Sequence, residues 1–132
     1  MKNIFIIIAI VFVQNMQAQD EGVKKSIQTF FEGLHTADTL KMKQVCHDNM
    51  LLQSISERNG RSKLTTENSK EFYKSIASIP AEMKVEERLL DFKIQIDGAM
   101  AHAWTPYEFY INGNLSHKGV NSFQLFKEGE TW

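Results

Sequence analysis

The stretch KIQIDGAMAHAWTPYEFYINGNLSHKGVNSFQLFK, Lys93 to Lys127, decides the fold. Ile94 and Ile96 alternate with polar residues, and Asp97-Gly98 follows as a tight turn. A second run, Met100 to Ile111, ends at Asn112-Gly113, and a third runs from Leu115 to Lys127. Asp-Gly and Asn-Gly between alternating runs are strong hairpin signals. The stretch therefore predicts three long antiparallel strands in a meander, the first reaching back through EMKVEERLLDF, with Leu90 and Phe92 in its pattern. Pro106 has no N–H to give a ladder, so a bulge or an edge position is expected there.

Side chains alternate across a strand, which assigns faces. Met100, His102 and Trp104 share one side of the second strand; Ala99, Ala101, Ala103 and Thr105 share the other. The alanine side admits close packing of another layer. Beyond Pro106 the phase can slip by one, leaving Tyr107 and Tyr110 on either face. On the third strand His117, Gly119, Asn121, Phe123 and Leu125 share a side. Phe123 and Leu125 mark it as buried, so His117 is expected to be buried and to face the helices.

Upstream, TTENSKEFYKSIASIP reads as a helix capped by Thr65 or Thr66, with a stripe of Phe72, Ile76 and Ile79, stopped by Pro80. MLLQSISE is a short strand and RNGRS a turn. TADTLKMKQVCHDNM holds a short helix with Asp38 as N-cap and Leu40, Met42 and Val45 as its apolar positions. Val23, Ile27, Phe30, Phe31 and Leu34 recur at helical spacing, so an amphipathic helix starts at Asp20 and Glu21, whose charge suits a helix N-terminus. Helices segregated to one side of meandering strands make an α+β fold of one domain.

The first 18 residues read differently. Lys2 precedes an apolar run from Ile4 to Val13, then a polar segment ends in Ala18. That order predicts a secretory signal peptide over 1–18, cut after Ala18, and an exported domain over 19–132. The run is too short for a membrane-spanning helix, which needs about 20 residues. Without Lys2 the chain carries 14 basic against 16 acidic residues. With no basic cluster, nucleic-acid binding is excluded. Cys46 is the single cysteine, which excludes an internal disulfide and reads as a small buried hydrophobe.

Candidate site residues come from the polar-tipped aromatics and their neighbours. His117 is the leading one, as a pocket base or hydrogen-bonding group, against the plainer role of bonding a neighbouring strand. Trp104, Tyr107, Tyr110 and Asn121 are candidate ligand contacts, and Tyr73 is a candidate from the third helix. His47 and Asp48 read as exposed. His35, His47, His102 and His117 show no metal-ligand spacing, and no cofactor motif appears.

FFEGLHTAD (Phe30 to Asp38), AWTPYEFYINGNLSHKGVNSFQL (Ala103 to Leu125) and the final GETW together resemble the nuclear transport factor 2-like superfamily, also called the SnoaL-like or cystatin-like fold. The nearer likeness is to its putative lumazine-binding branch of small exported bacterial proteins. The resemblance implies a cone of curved antiparallel sheet with three helices, and a dimer through the outer sheet face. It also implies a further strand beginning at the GETW tryptophan, so the sheet is expected to lack its last strand where the sequence stops at Trp132. Relatives range from isomerases and dehydratases to domains without chemistry, and fold does not fix function. Three readings stand: an exported domain binding a small apolar or aromatic molecule in an apolar pocket, a small isomerase or dehydratase using a pocket histidine as base, and an interaction module that only dimerises.

Overall fold

The computed structural model describes the backbone of residues 2–132 and side chains from Ala18 onward. The segment carrying the signal-peptide reading lies, for its side chains up to Gln17, outside the described residues. Three helices and six strands follow in the order α1 (Lys2–His35), α2 (Thr39–Lys43), β1 (Leu51–Arg58), β2 (Arg61–Asn68), α3 (Ser69–Ala77), β3 (Val85–Leu89), β4 (Lys93–Asp97), β5 (Met100–Ile111) and β6 (Asn114–Phe126). The fold is α+β with antiparallel sheets. Among the described residues no helix is long and apolar enough to cross a membrane.

The main sheet is built on β5. β6 pairs with it along one edge, and β3 and β4 run end to end along the other. The expected single strand before Asp97-Gly98 is therefore two. Leu89 pairs with Tyr107 and Lys93 with Trp104, so three residues face two, and the extra one is a bulge. It lies opposite Pro106, on the neighbouring strand, while Pro106 itself stays in register with Val120. A proline that offers no N–H leaves the partner strand free to bulge there. The bulge throws Leu90 out of the core pattern and into solvent. A second irregularity lies on β6: Phe109 pairs with His117 but Tyr110 with Leu115, leaving Ser116 as the extra residue.

Helix α1 lies against the alanine side of the sheet. Val23, Ile27, Phe31 and Leu34 are its buried stripe, and they meet Met42 of α2, Ile76 of α3, Ala101 and Ala103. The alanines admit the helix; a larger side chain there would hold it off. Gly33 does the same for α2, since a Cβ would stand 2.5 Å from Met42 Cγ. Trp132 joins this core, its ring against Gly22 and its carbonyl accepting from Ser26 Oγ at 3.0 Å.

Four local expectations are corrected. Asp20 and Glu21 fall inside α1, because no glycine or proline upstream of them stops the helix. Leu40 is 73% exposed, since Met42 alone fills the α2 contact. The third helix is capped by Asn68, whose side chain accepts from Glu71 N, while Thr65 and Thr66 are strand residues opposite Ser54 and Gln53. Asn59 and Gly60 both take positive φ (54° and 69°), the turn that matches two strands' twist, so the residues after it fold back on β1. Finally, the cone is not closed. β1 and β2 form a separate two-stranded sheet, with Ile55 78% exposed.

Candidate functional site

Beyond Ala103 the alternation of β5 continues without a slip, so Thr105, Tyr107 and Phe109 stand on the helix side of the sheet. Their partners on β6 are Asn121, Gly119 and His117. On β3, Glu87 is the partner of Phe109. This end of the inner face is polar and aromatic where the other end, around Ala101, Ile96 and Leu125, is apolar.

Glu87 and Asn121 lie on strands either side of β5. The Asn121 amide spans it and donates to Glu87 Oε1 at 2.5 Å. The Glu87 carboxyl is half-buried, and burial raises its proton affinity above the ordinary carboxylate range; the Asn121 bond opposes this. Burial likewise raises the Tyr107 phenol, and the Glu87 charge adds to the effect. The Tyr107 ring reaches across the sheet over Gly119, where an added Cβ would stand 2.6 Å from its oxygen. Thr105, 0% exposed, has its hydroxyl without a partner among the described residues. Buried polar atoms are nearly always hydrogen-bonded.

His35, in the last turn of α1, secures the position of Glu87. Its Nε2 accepts from the Glu87 backbone N–H at 2.9 Å, which leaves the ring proton on Nδ1. That N–H belongs to the outer edge of β3 and has no strand to pair with. The helix end is thus tied to the strand that carries the carboxylate.

Of the residues expected from sequence, Tyr107 and Asn121 belong to this group. His117 is on the same face but exposed, contrary to expectation. Among the described residues no helix covers the first half of β6, where every residue from Asn114 to Val120 is exposed. The His117 ring stacks on Phe109 with centroids 5.0 Å apart and stands edge-on to Tyr107 at 5.8 Å, so it edges the group instead of lying within it. Trp104 and Tyr110 are on the opposite face. Trp104 is 43% exposed, and Tyr110 lies under the Arg88 guanidinium at 4.0 Å and donates to Glu108 at 2.8 Å. The apolar pocket that was expected to hold these residues together is replaced by a mixed, open face.

Tyr73 is elsewhere again, in a cleft of about 240 Å³ lined by Lys43, Cys46, His47, Asp48, Ser69 and Lys70. Burial and a hydrogen bond with the Cys46 thiol push its phenol well above the usual range. Burial also raises the Cys46 thiol, which disfavours the reactive thiolate. His47 Nδ1 accepts from Asn49 N at 3.1 Å and is not turned to Cys46.

Glu87, Thr105 and His35 were not singled out from sequence. One signal for Glu87 was there: in VEERL, Val85, Glu87 and Leu89 share a face at period two, so a carboxylate stands between two apolar neighbours. Alternation places Thr105 on the alanine side of β5; His35 carries no such signal, because only the packing of α1 on the sheet brings it to the Glu87 backbone.

Residues 18–118 match the family model described as putative lumazine-binding. Comparison with curated proteins finds no match. Among solved structures, the chain is similar to an NTF2-like protein of unknown function from Shewanella baltica OS155, solved at 1.75 Å. The TM-score is 0.59 at 18% identity, over 92% of this chain and 88% of that one. At that identity the likeness concerns the fold alone.

Proposed function

The chain belongs to the putative lumazine-binding family, and on that premise we propose that it is an exported domain that binds a small aromatic molecule on its inner sheet face. The observation that carries this reading is the Glu87–Asn121 pair, held half-buried beside the Tyr107 phenol. Polar groups fixed on a rigid sheet beside aromatic rings orient a planar ligand; the rings supply contact area. The lumazine of the family description fits this pattern, being planar with N–H and C=O groups on one edge. Fluorescence titration with lumazine tests it: saturable binding by the full chain, lost in Glu87→Ala and Asn121→Ala, is expected. Equal binding by both variants would overturn it.

One observation favours a catalytic reading. A carboxylate with raised proton affinity beside a phenol has the makings of a general base and an oxyanion donor. Glu87 then takes the place assigned to a histidine from sequence. Deuterium exchange next to the carbonyl of a small ketone, abolished in Glu87→Gln, is the corresponding test.

Two further proposals concern the chain's setting. Export rests on the Lys2 start, the apolar run and Ala18, and the mature protein is expected to begin at Gln19 on N-terminal sequencing. A homodimer through the outer sheet face is supported by exposed Met100, Trp104, Val120 and Phe126. Trp104→Glu is expected to shift its sedimentation to the monomer.

A further inference from the structure

We infer that the inner-face group takes a ligand bearing a positive charge, a cationic planar nitrogen compound, and discriminates against anions. This rests on the reading of that face as a binding site and adds the charge of what it binds. The starting observation is that Glu87 has no counter-charge. Among the described residues it makes no salt bridge, and what acts on its carboxyl is burial and the Asn121 amide, with no cationic side chain contributing. The two carboxylates beside it on the sheet are both paired, Glu86 with Arg88 and Glu108 with Lys118. A carboxylate removed from water without a partner is unfavourable, and a bound cation reverses that.

The hydrogen-bonding capacity left over points the same way. With Asn121 Nδ2 committed to Glu87 Oε1, the second carboxylate oxygen and the Asn121 carbonyl remain as acceptors among the described residues. Beside the Tyr107 hydroxyl, which can donate or accept, these two acceptors call for N–H donors. Tyr107 and Phe109, on the same face, offer ring surfaces that attract a cation. His35 does not compensate Glu87, since its Nε2 accepts from the backbone N–H and its ring is neutral in doing so. His117 stands at the rim of the same face, stacked on Phe109, and a charge there would oppose a bound cation.

The probes are proflavine, a planar cation with N–H donors, and 2-anthracenecarboxylate, a planar anion, each titrated against the full chain by fluorescence at about pH 7.5. Proflavine is expected to bind and the anion not to. Glu87→Gln, which keeps the shape and the Asn121 bond, should weaken proflavine about tenfold or more, since it removes a charge-assisted contact. A measurement on the unmutated chain stands beside these: proflavine affinity should fall as Glu87 takes up its proton on acidification, over a range where the probe stays cationic. Proflavine binding that is equal in Glu87→Gln, or anion binding as tight as that of the cation, overturns the inference. If lumazine binding needs Glu87 while proflavine binding does not, the charge preference falls and the site stands. If neither ligand's binding depends on Glu87 or Asn121, both fall.

Discussion

Glu86 and Glu87 are adjacent in sequence and opposite in circumstance. Glu86 points to the outer face, where Arg88 bonds it with two nitrogens at 2.8 and 2.9 Å and holds its carboxyl below the usual range. Glu108, on the neighbouring strand β5 and on the same face, is lowered in the same manner by Lys118 and Tyr110. Glu87 points inward, finds an amide instead of a cation, and is raised. Composition is the same on both sides; the pleat decides which carboxylate meets solvent and counter-charge and which meets the underside of a helix. A sheet face that leaves a carboxylate unneutralised gives up stability there, a cost common at binding sites.

The largest test of this contrast is steric. Ala103 and Trp104 are also neighbours on opposite faces. Ala103→Leu forces a branched side chain under α1 and should cost about 2–3 kcal/mol, whereas Trp104→Ser should cost about 1 kcal/mol or less. Urea denaturation of the two variants measures it; similar losses would mean that the faces are not distinct in packing.

Gly119→Ala comes next. Its Cβ would meet the Tyr107 oxygen and ring at 2.6 to 2.9 Å, so a loss of about 1–2 kcal/mol is expected. Combining it with Tyr107→Ala should remove most of that penalty, because the three nearest atoms to the added Cβ all belong to that side chain. Full additivity of the two losses would show that Tyr107 does not lie over Gly119.

The carboxylates themselves give a smaller effect with a defined sign. Because the folded state raises Glu87, it binds more protons than the unfolded chain between the ordinary carboxylate value and the raised one. Its contribution to stability therefore falls as pH rises through that window and stays unfavourable above it. Glu87→Gln should gain about 1 kcal/mol near neutral pH by removing an uncompensated charge, and the gain should vanish in acid. For Glu108 the sign is opposite. Its lowered carboxyl favours the fold above the ordinary carboxylate value and loses that as pH falls through the lowered one, so Glu108→Gln should give no gain at neutral pH. Denaturation at a series of pH values compares them directly, and parallel curves for the two variants would break the contrast.

Arg88→Gln on the outer face should have the smallest effect. Exposed ion pairs contribute little and are screened by salt. A shift in melting temperature of no more than about 1 °C is expected at moderate salt.

Local chemistry made several features legible before any fold was known. Asp97-Gly98 and Asn112-Gly113 are turns because glycine takes the positive φ they require, 59° and 78° here. Asp38 caps α2 as its spacing to Lys41 N demands. The alanine side of β5 is the packed side because period-two alternation and small volume together leave room for a helix. Errors arose where a pattern had to be carried across an interruption. The Thr65-Thr66 pair suits a helix cap and a strand alike, and the turn at Asn59-Gly60 chose the strand. The run before Asp97 looked continuous, and a bulge across from Pro106 divided it.

For the candidate site the division is sharper. By itself the sequence determined which residues share a strand face, since a strand's geometry is local: Asn121 with Phe123 and Leu125, Glu87 with Val85 and Leu89. Tertiary structure alone decided how deep each would lie and what it would meet. It laid α1 over Glu87 but not over His117, although both stand on the inner side of the same sheet. It brought His35 to the Glu87 backbone across 52 positions and Asn121 to its carboxyl across 34. Burial and pairing depend on which element covers which strand, and that is set by the packing of the whole core, not by the residues at the site.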